Sequence, residues 1–441
     1  MARLPQDRKP LLIVTGANGN LGRSIVDAFA KDYRLVGLDR DTDSELAAEV
    51  VEVDITSPRS VRAALEQTGE QHGRKVAGVI HLIAYFDFSD EHDPLYDKVN
   101  VEGTRNLLGA LQDFEVERFI YASTILVHQP RSPGLRIDET TPIDPQWAYP
   151  QSKWEVEELI RSEASMPYAL LRLSGIYDEQ SAVPVLSHQI ARIFERKLQS
   201  HLYSGPLDAG QSMLHREDMI DAVRRTLERR TSLPRKAEIL VGEPIAAGYD
   251  TLQKRIGELI HGEEDWTTLS VPKPLAAAGA WLETRAEPVI PDDLDQGEEP
   301  FIKPFMVRMA DDHYELDISR AKALLDWEPR HALREALPKM VEHLKADPAR
   351  LYEANGLTPP HWLQAVAEEG HDAEELRARH EARFRAAHAR SLWAHFLNAG
   401  MGAWLVASPV MIGYDGLGMT ISDVVSGILV ITGSLIACLL Y

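Results

Sequence analysis

The sequence predicts an α/β protein built on a doubly wound parallel sheet, and three observations carry that prediction. Short apolar runs alternate with stretches of helical periodicity. A glycine-rich loop lies at the first junction between run and helix. A less regular region follows the last run, as expected of a smaller substrate-binding region stacked at the strand ends.

In order, the runs are Leu11–Val14, Arg34–Leu38, Val76–Leu82, Arg118–Ala122 and Tyr168–Leu173. Their length suits buried strands. Between them, Gly22–Ala30, Ser60–Glu66 and Asn100–Leu111 repeat apolar residues at helical spacing, so each run and helix pair reads as part of a βαβ unit. Beyond Ile176, Pro and Gly are spread over Pro184–Pro206 and Pro272–Pro304, which marks helices and loops rather than more sheet. The expected division is a sheet domain over 1–180, a substrate-binding region with return segments over 181–345, a helical linker over 346–390 and a membrane hairpin over 391–441.

Composition excludes several classes. With 47 Lys and Arg against 68 Asp and Glu in 441 residues, the formal net charge is -21, the opposite of a nucleic-acid footprint. The single cysteine, Cys438, cannot form an internal disulfide, so a disulfide scaffold is excluded. No secretory h-region precedes Leu11, which places the first domain in the cytoplasm. No metal site is expected.

After the first run comes Thr15-Gly16-Ala17-Asn18-Gly19-Asn20-Leu21-Gly22. Gly16 permits a tight turn, Gly19 lets the backbone approach a pyrophosphate, and Gly22 lets the helix pack on the sheet. The helix amino terminus offers N–H groups to the anion. Asp39, about 20 residues beyond the loop, is placed to accept from ribose hydroxyls and to repel a 2′-phosphate, which favours NAD over NADP. The neighbouring Arg40 could instead pair with a 2′-phosphate. Further on, Tyr149 and Lys153 are four residues apart and share a helix face. A lysine ammonium there is expected to lower the phenol pKa and make Tyr149 a usable acid and base.

In combination these motifs resemble the extended short-chain dehydrogenase/reductase superfamily, in its NAD-dependent epimerase/dehydratase branch, whose nucleotide-binding domain is of Rossmann type. The resemblance runs from about Leu11 to Val341. It includes Val53-Asp54-Ile55, similar to the strand end that contacts adenine, and His81-Leu82-Ile83-Ala84, similar to the fourth-strand motif beside the cofactor. Asn100 matches the family's stabilising asparagine, Phe119–Thr124 its catalytic strand, Leu214-His215-Arg216-Glu217-Asp218 its V-H-V-D-D segment, and Asp317–Arg330 its closing segment.

The resemblance implies hydride transfer with NAD as cofactor, NADP being the less favoured. It assigns proton transfer to Tyr149, the nicotinamide ribose and Tyr149 tuning to Lys153, and a hydrogen bond to the reacting oxygen to Thr124, with Ser123 as the alternative. It assigns cofactor contacts to Gly16, Asn18, Gly19, Asn20, Leu21, Gly22, Asp39, Arg40, Asp54, Ile55, Leu82, Ala84, Asn100, Tyr149 and Lys153. Two departures narrow the chemistry. Ile125 and Leu126 stand where sugar dehydratases carry an acidic pair, which disfavours dehydration, and Gln211 stands where nucleotide-sugar enzymes tend to carry an arginine. The substrate is then a secondary alcohol or ketone of a sugar nucleotide or related molecule, with an apolar, membrane-derived alcohol or ketone of nearly equal weight.

The carboxy-terminal composition changes abruptly. Ser391–Tyr414 contains no Asp, Glu, Lys or Arg over 24 residues, and 18 more uncharged residues follow Asp423. About 20 apolar residues span a bilayer as a helix, so two transmembrane helices turning at Asp415–Asp423 are expected, with a buried soluble hairpin as the alternative. Arg377, Arg379, Arg383, Arg385 and Arg390 precede the first span, which puts the large domain on the cytoplasmic side of a cytoplasmic membrane. Trp404–Val410 is similar to the SPW repeat of small bacterial membrane proteins, with Val410 where the last Trp would stand. Because Tyr441 ends inside an apolar run, a longer natural chain is expected. Besides the small-molecule substrate and the membrane, a homodimer or a partner in a membrane complex is left open. Two functions compete with the enzyme reading: an accessory subunit of a membrane complex without turnover, and a nucleotide-responsive sensor.

Overall fold

The computed structural model describes residues 9–42, 45–88, 93–277, 304–360, 362–363, 373–413 and 416–439. By packing, the chain divides into two units, Met1–Phe194 with Tyr203–Glu342, and Glu195–Leu202 with His343–Tyr441. In the first, β1 (Leu11–Thr15), β2 (Arg34–Asp39), β3 (Glu49–Glu52), β4 (Gly78–His81), β5 (Phe119–Thr124), β6 (Tyr168–Leu173) and β7 (Lys236–Val241) form one sheet in the order β7-β6-β5-β4-β1-β2-β3. Every pairing in it is parallel. Strand order reverses between β1 and β4, and ligands of such sheets bind in the crevice that opens at this point.

Both faces are covered, which is why the central strands read as unbroken apolar runs. The helices that matter here are α1 (Asn20–Phe29), α2 (Pro58–His72), α3 (Gly103–Ala110), α4 (Ala148–Glu163) and α5 (Arg216–Glu228). Leu12 and Val14 of β1 face one core with Ile25, Val26 and Phe29 of α1 and Val223 and Leu227 of α5. Leu11 and Ile13 face the other, with Val61 and Leu65 of α2, Leu107 of α3, and Val156 and Ile160 of α4. The two-residue period of the strand thus feeds two separate cores.

The sheet departs from the expected runs in three places. Val76–Leu82 is divided, because Lys75–Val76 pairs with Glu115–Val116 while β4 begins at Gly78. The helix expected over Asn100–Leu111 begins earlier, as a π-helical turn over Tyr96–Glu102 that runs into α3. Two strands were not foreseen as runs: β3, an edge strand with acids at both ends, and β7, whose pattern is interrupted by Glu238.

Arg118, just before β5, is nearly fully buried. Its guanidinium donates to the carbonyls of Tyr168 (3.0 Å), Arg230 (2.6 Å), Leu233 (3.1 Å) and Pro234 (2.8 Å), and so joins the β5 and β6 starts to the turn that leads into β7. A buried carbonyl without a partner is costly, so the side chain acts as an internal splice.

In the second unit, α6 (Ala373–Ile412) and α7 (Leu417–Leu439) pack against each other. Gly402 and Gly427 face each other so closely that a Cβ on either would come within 2.7 Å of the other's carbonyl oxygen. Gly413, at φ 74°, ends α6 by the left-handed route usual for glycine. The expected boundary at 390/391 is not a break in secondary structure, since α6 is continuous across it. The turn is shorter than expected: α7 starts at Leu417, so Asp423 lies inside a helix, 3.5 Å from the Ser408 hydroxyl. Asp415 and the side chains of Arg377, Arg379, Arg383, Arg385, Arg390 and Cys438 lie outside the described residues. Among the described residues, Leu392–Ile412 is long and apolar enough to cross a membrane, with a mean hydropathy of 1.2, and Gly418–Ile431 is apolar but shorter. Trp393, Phe396, Met401, Trp404 and Val410 on α6 are exposed.

Replacing Arg118 with Met keeps the bulk and removes its hydrogen bonds to these carbonyls. The expected result is a loss of about 3 kcal/mol of stability, read as a lowered denaturation midpoint by circular dichroism in detergent.

Candidate functional site

The glycine loop lies at the carboxyl end of β1, beside the strand-order reversal. Gly16 adopts φ 72° and donates to the Leu38 carbonyl at 2.8 Å. A Cβ on Gly22 would fall 2.0 Å from the Gly16 oxygen, so no other residue lets α1 start this close to the sheet. Gly19 is the residue before α1, and no side chain caps the helix there. The first amides of α1 therefore remain for a ligand.

Asp39 ends β2 and is locked onto the loop. Its carboxylate accepts from the Asn18 amide (2.9 Å), from the Arg40 amide (2.8 Å) and from the Asp41 amide (3.3 Å), while the Asn18 side chain donates to the Asp41 carbonyl. Asn18 Oδ1 is buried with no protein partner. An uncapped helix start, a cradle that a Cβ would fill and an orphaned acceptor together fit a dinucleotide phosphate and ribose. Arg40 is exposed. On the far side of the loop, Asp54 accepts from the Thr56 amide and hydroxyl, and the Ile55 carbonyl accepts from Asn106 at 3.0 Å.

Across the crevice, the Leu82 amide donates to Thr15, and Ala84 follows on the same partly exposed segment. His81 is sealed between the hydroxyls of Thr15 (2.7 Å) and Thr104 (2.9 Å), and burial pushes its pKa down to about 3. It is a neutral joint between β1, β4 and α3. Asn100 ties the 82–88 segment to α4: its Oδ1 accepts from the Tyr85 amide at 2.6 Å and its Nδ2 donates to the Ser152 hydroxyl at 2.9 Å.

Tyr149 and Lys153 lie one turn apart near the start of α4, as their spacing requires. Lys153 Nζ donates to the Ala122 carbonyl at 2.8 Å and stands 4.7 Å from the centre of the Tyr121 ring and 5.8 Å from that of Tyr149. Burial lowers its pKa to about 7, against an opposing pull from Glu157. Tyr149 does not show the expected depression. Burial, with Tyr96 nearby, raises its pKa, while the Lys153 ammonium is held by a strand carbonyl and faces the ring. Thr124 ends β5, two residues beyond that carbonyl, and its hydroxyl accepts from the Leu126 amide. Ser123 points the other way and donates to Glu157 at 2.6 Å, as strand alternation dictates.

A feature that the motifs did not reveal is an aromatic wall on Tyr149. Phe86 meets the Tyr149 ring edge-on at 4.8 Å, Trp147 lies 5.5 Å from it, and Phe88 and Phe305 each pack on Trp147 at 5.8 Å. Phe86 is 46% exposed, so the wall opens to solvent beside Tyr149. Its only trace in the sequence is the pair of phenylalanines in Tyr85-Phe86-Asp87-Phe88 and the Trp two residues before Tyr149. Elsewhere, His215, Glu217 and His331 bring potential ligand atoms within 4.8 Å. His215 Nδ1, however, accepts from the Glu217 amide at 3.2 Å, which places the ring hydrogen on Nε2, the nitrogen that would have to ligate. His215 itself caps the start of α5.

Comparison with known proteins agrees with this geometry. A putative UDP-glucose 4-epimerase of Methanocaldococcus jannaschii is 29% identical over 181 residues, 38% of this chain and 57% of the relative, so the chain spans little more than half of that protein. A sterol-4-alpha-carboxylate 3-dehydrogenase (decarboxylating) of Saccharomyces cerevisiae is 23% identical over 354 residues, 74% of this chain and 96% of the relative. The solved structure of a UDP-glucose 4-epimerase from Thermotoga maritima shares the fold, with a TM-score of 0.56 at 18% identity over 76% of this chain and 99% of that one. The family model for the NAD dependent epimerase/dehydratase family matches residues 12–242, more than half of the chain. The glycine cradle, Asp39 and the Tyr149–Lys153 pair all lie within the matched residues, and the chain belongs to the NAD dependent epimerase/dehydratase family, an NAD-dependent extended short-chain dehydrogenase/reductase.

Proposed function

We propose that the protein is a membrane-anchored oxidoreductase or epimerase that moves hydride to or from a secondary alcohol or ketone. The observation that carries this reading is the intact Tyr149–Lys153 pair on α4, with Lys153 fastened to the strand that ends in Thr124. An accessory subunit without turnover has no use for such a pair. NAD, when bound, supplies the hydride acceptor or donor.

The residues of this chain do the rest. Gly16, Gly19 and Gly22 with the α1 amides hold the phosphates, and Asp39 takes the adenosine ribose. Tyr149 exchanges a proton with the substrate oxygen, and Thr124 steadies that oxygen. With its phenol above its ordinary value, Tyr149 is protonated at neutral pH and stands ready as an acid toward a ketone.

For the substrate, two relatives point in different directions: one is named for UDP-glucose and one for a sterol acid. A sugar nucleotide or related molecule follows from the first. The aromatic wall supports the second direction, an apolar alcohol or ketone drawn from the membrane, since Phe86, Phe88, Trp147 and Phe305 offer flat apolar surface against Tyr149. The exposed apolar side chains of α6 and the close Gly402–Gly427 contact support α6 and α7 as a membrane hairpin that resembles the SPW repeat.

Protein purified in detergent should carry or bind NAD(H), and an alcohol substrate should then produce NADH absorbance. Tyr149→Phe should lower that turnover by at least about 100-fold; an unchanged rate removes the catalytic assignment. In Phe86→Ala, use of an apolar ring alcohol should weaken by about tenfold relative to UDP-glucose, whereas a selective loss of UDP-glucose points to the sugar nucleotide. Deleting 391–441 should move the protein from the membrane to the soluble fraction, and continued membrane association would reject the hairpin as anchor.

A further inference from the structure

Behind Lys153, the next turn of α4 carries Glu157, which is fully buried. Its carboxylate has four donors. Oε1 accepts from the Ser123 hydroxyl (2.6 Å) and Arg172 Nε (3.0 Å), and Oε2 accepts from Arg172 Nη2 (2.6 Å) and Arg161 Nη2 (2.7 Å). Both arginines also pair with Glu238, at 3.2 Å and 2.9 Å. Arg172 Nη1 donates to His128 Nε2 at 2.9 Å, and the other ring nitrogen of this histidine faces the Thr141 carbonyl at 2.9 Å. Burial holds His128 well down, at about 4, so the ring is neutral and accepts.

Two features set this network apart from a structural ion pair. The strand residues it grips are the ones beside the reaction: Ala122 is held by Lys153 and Ser123 by Glu157, one helical turn apart, immediately before Thr124. It also sets a buried carboxylate one helical turn behind Lys153, where Arg161 and Arg172 are shared among Glu157, Glu158 and Glu238. Neutralising Glu157 leaves the buried Arg172 guanidinium with only its 3.2 Å pairing to Glu238, one turn from the Lys153 ammonium.

We propose that Glu157 is a positioning residue for the reaction, fixing the end of β5 against α4 through Ser123 and holding a carboxylate one helical turn behind Lys153. The proposal rests on the roles given above to Thr124, Tyr149 and Lys153. The groups that face Lys153 are Tyr149 and Glu157 from its own helix, Tyr121 from β5 and His81 from β4. Among these, Glu157 opposes the effect of burial on the lysine. Without it the folded-state pKa of Lys153 falls further, and the ammonium is lost at lower pH.

The test reads the charge of Lys153 without requiring turnover. Trace acetic anhydride labels only the neutral amine, so the pH midpoint of Lys153 acetylation, followed by mass spectrometry on the NAD-loaded protein in detergent, reports its ionisation. Glu157→Gln should lower this midpoint by about one pH unit, and Glu157→Asp should leave it near the wild-type value. Ser123→Ala should also leave it unchanged, while lowering kcat more than it alters KM. Where turnover is measured, Glu157→Gln should fall about tenfold behind wild type at pH 8 and approach it at pH 6, because only the ammonium form is affected. Should the single variant not fold, Glu157→Gln with Arg172→Met removes both buried charges together and is expected to show a smaller downward shift, since the lost guanidinium offsets part of the lost carboxylate. An unmoved midpoint in the neutralised variant, or an equal shift in Ser123→Ala, overturns the proposal. Failure of Tyr149→Phe to affect turnover would sink the catalytic reading but leave the labelling midpoint interpretable.

Discussion

The site depends on one seam, where the end of β5 lies along the first three turns of α4. A strand carbonyl takes the lysine and a strand hydroxyl takes the glutamate, while Thr124 ends the strand and Tyr149 lies in the first turn of the helix. Neither element holds this alignment alone. The seam is anchored from behind by Arg172 on β6 and Arg161 on α4, so the position of Tyr149 relative to Thr124 is set by a buried ionic layer rather than by loops. Buried charge of this kind is worth little as net stability, but breaking one partner is costly. It therefore acts as a constraint on alignment.

Much of the nucleotide half could be read from the chain. Gly16, Gly19, Gly22 and Asp39 act through the backbone or at a strand end, where residue type and spacing nearly determine geometry. Asn100 was readable by resemblance, and the structure shows why an asparagine suits the place: it both accepts and donates across the crevice. What escaped reading was set by tertiary contact. The aromatic wall joins residues 86, 88, 147 and 305, and the Glu157 network joins 123, 157, 161, 172 and 238, with no local pattern linking them. For the same reason β7 was missed, since Glu238 looks like a break in a strand until Arg161 and Arg172 are in place. The tuning of Tyr149 also differed from expectation, because spacing on a helix fixes which side chains are neighbours but not where a flexible ammonium finds its acceptor.

The second unit shows the limit of averaging. One continuous helix runs from a segment rich in arginine into an uncharged one, so the change of composition at residue 390 falls inside a helix. At Gly402 and Gly427 two backbones meet without side chains between them. That contact specifies the register of α6 on α7 more tightly than the apolar content of either helix.

Arg118 has a consequence for how the molecule is made. Its acceptors at 230–234 lie more than a hundred positions further along the chain, and the sheet neighbours of β5 arrive from both directions. Until residues 230–241 have left the ribosome, the centre of the sheet holds a guanidinium with most of its partners missing and β6 without its outer neighbour. Such long-range closure makes folding slow. The first 230 residues are therefore a poor folding unit during synthesis, although they contain all of the residues assigned to catalysis and cofactor binding.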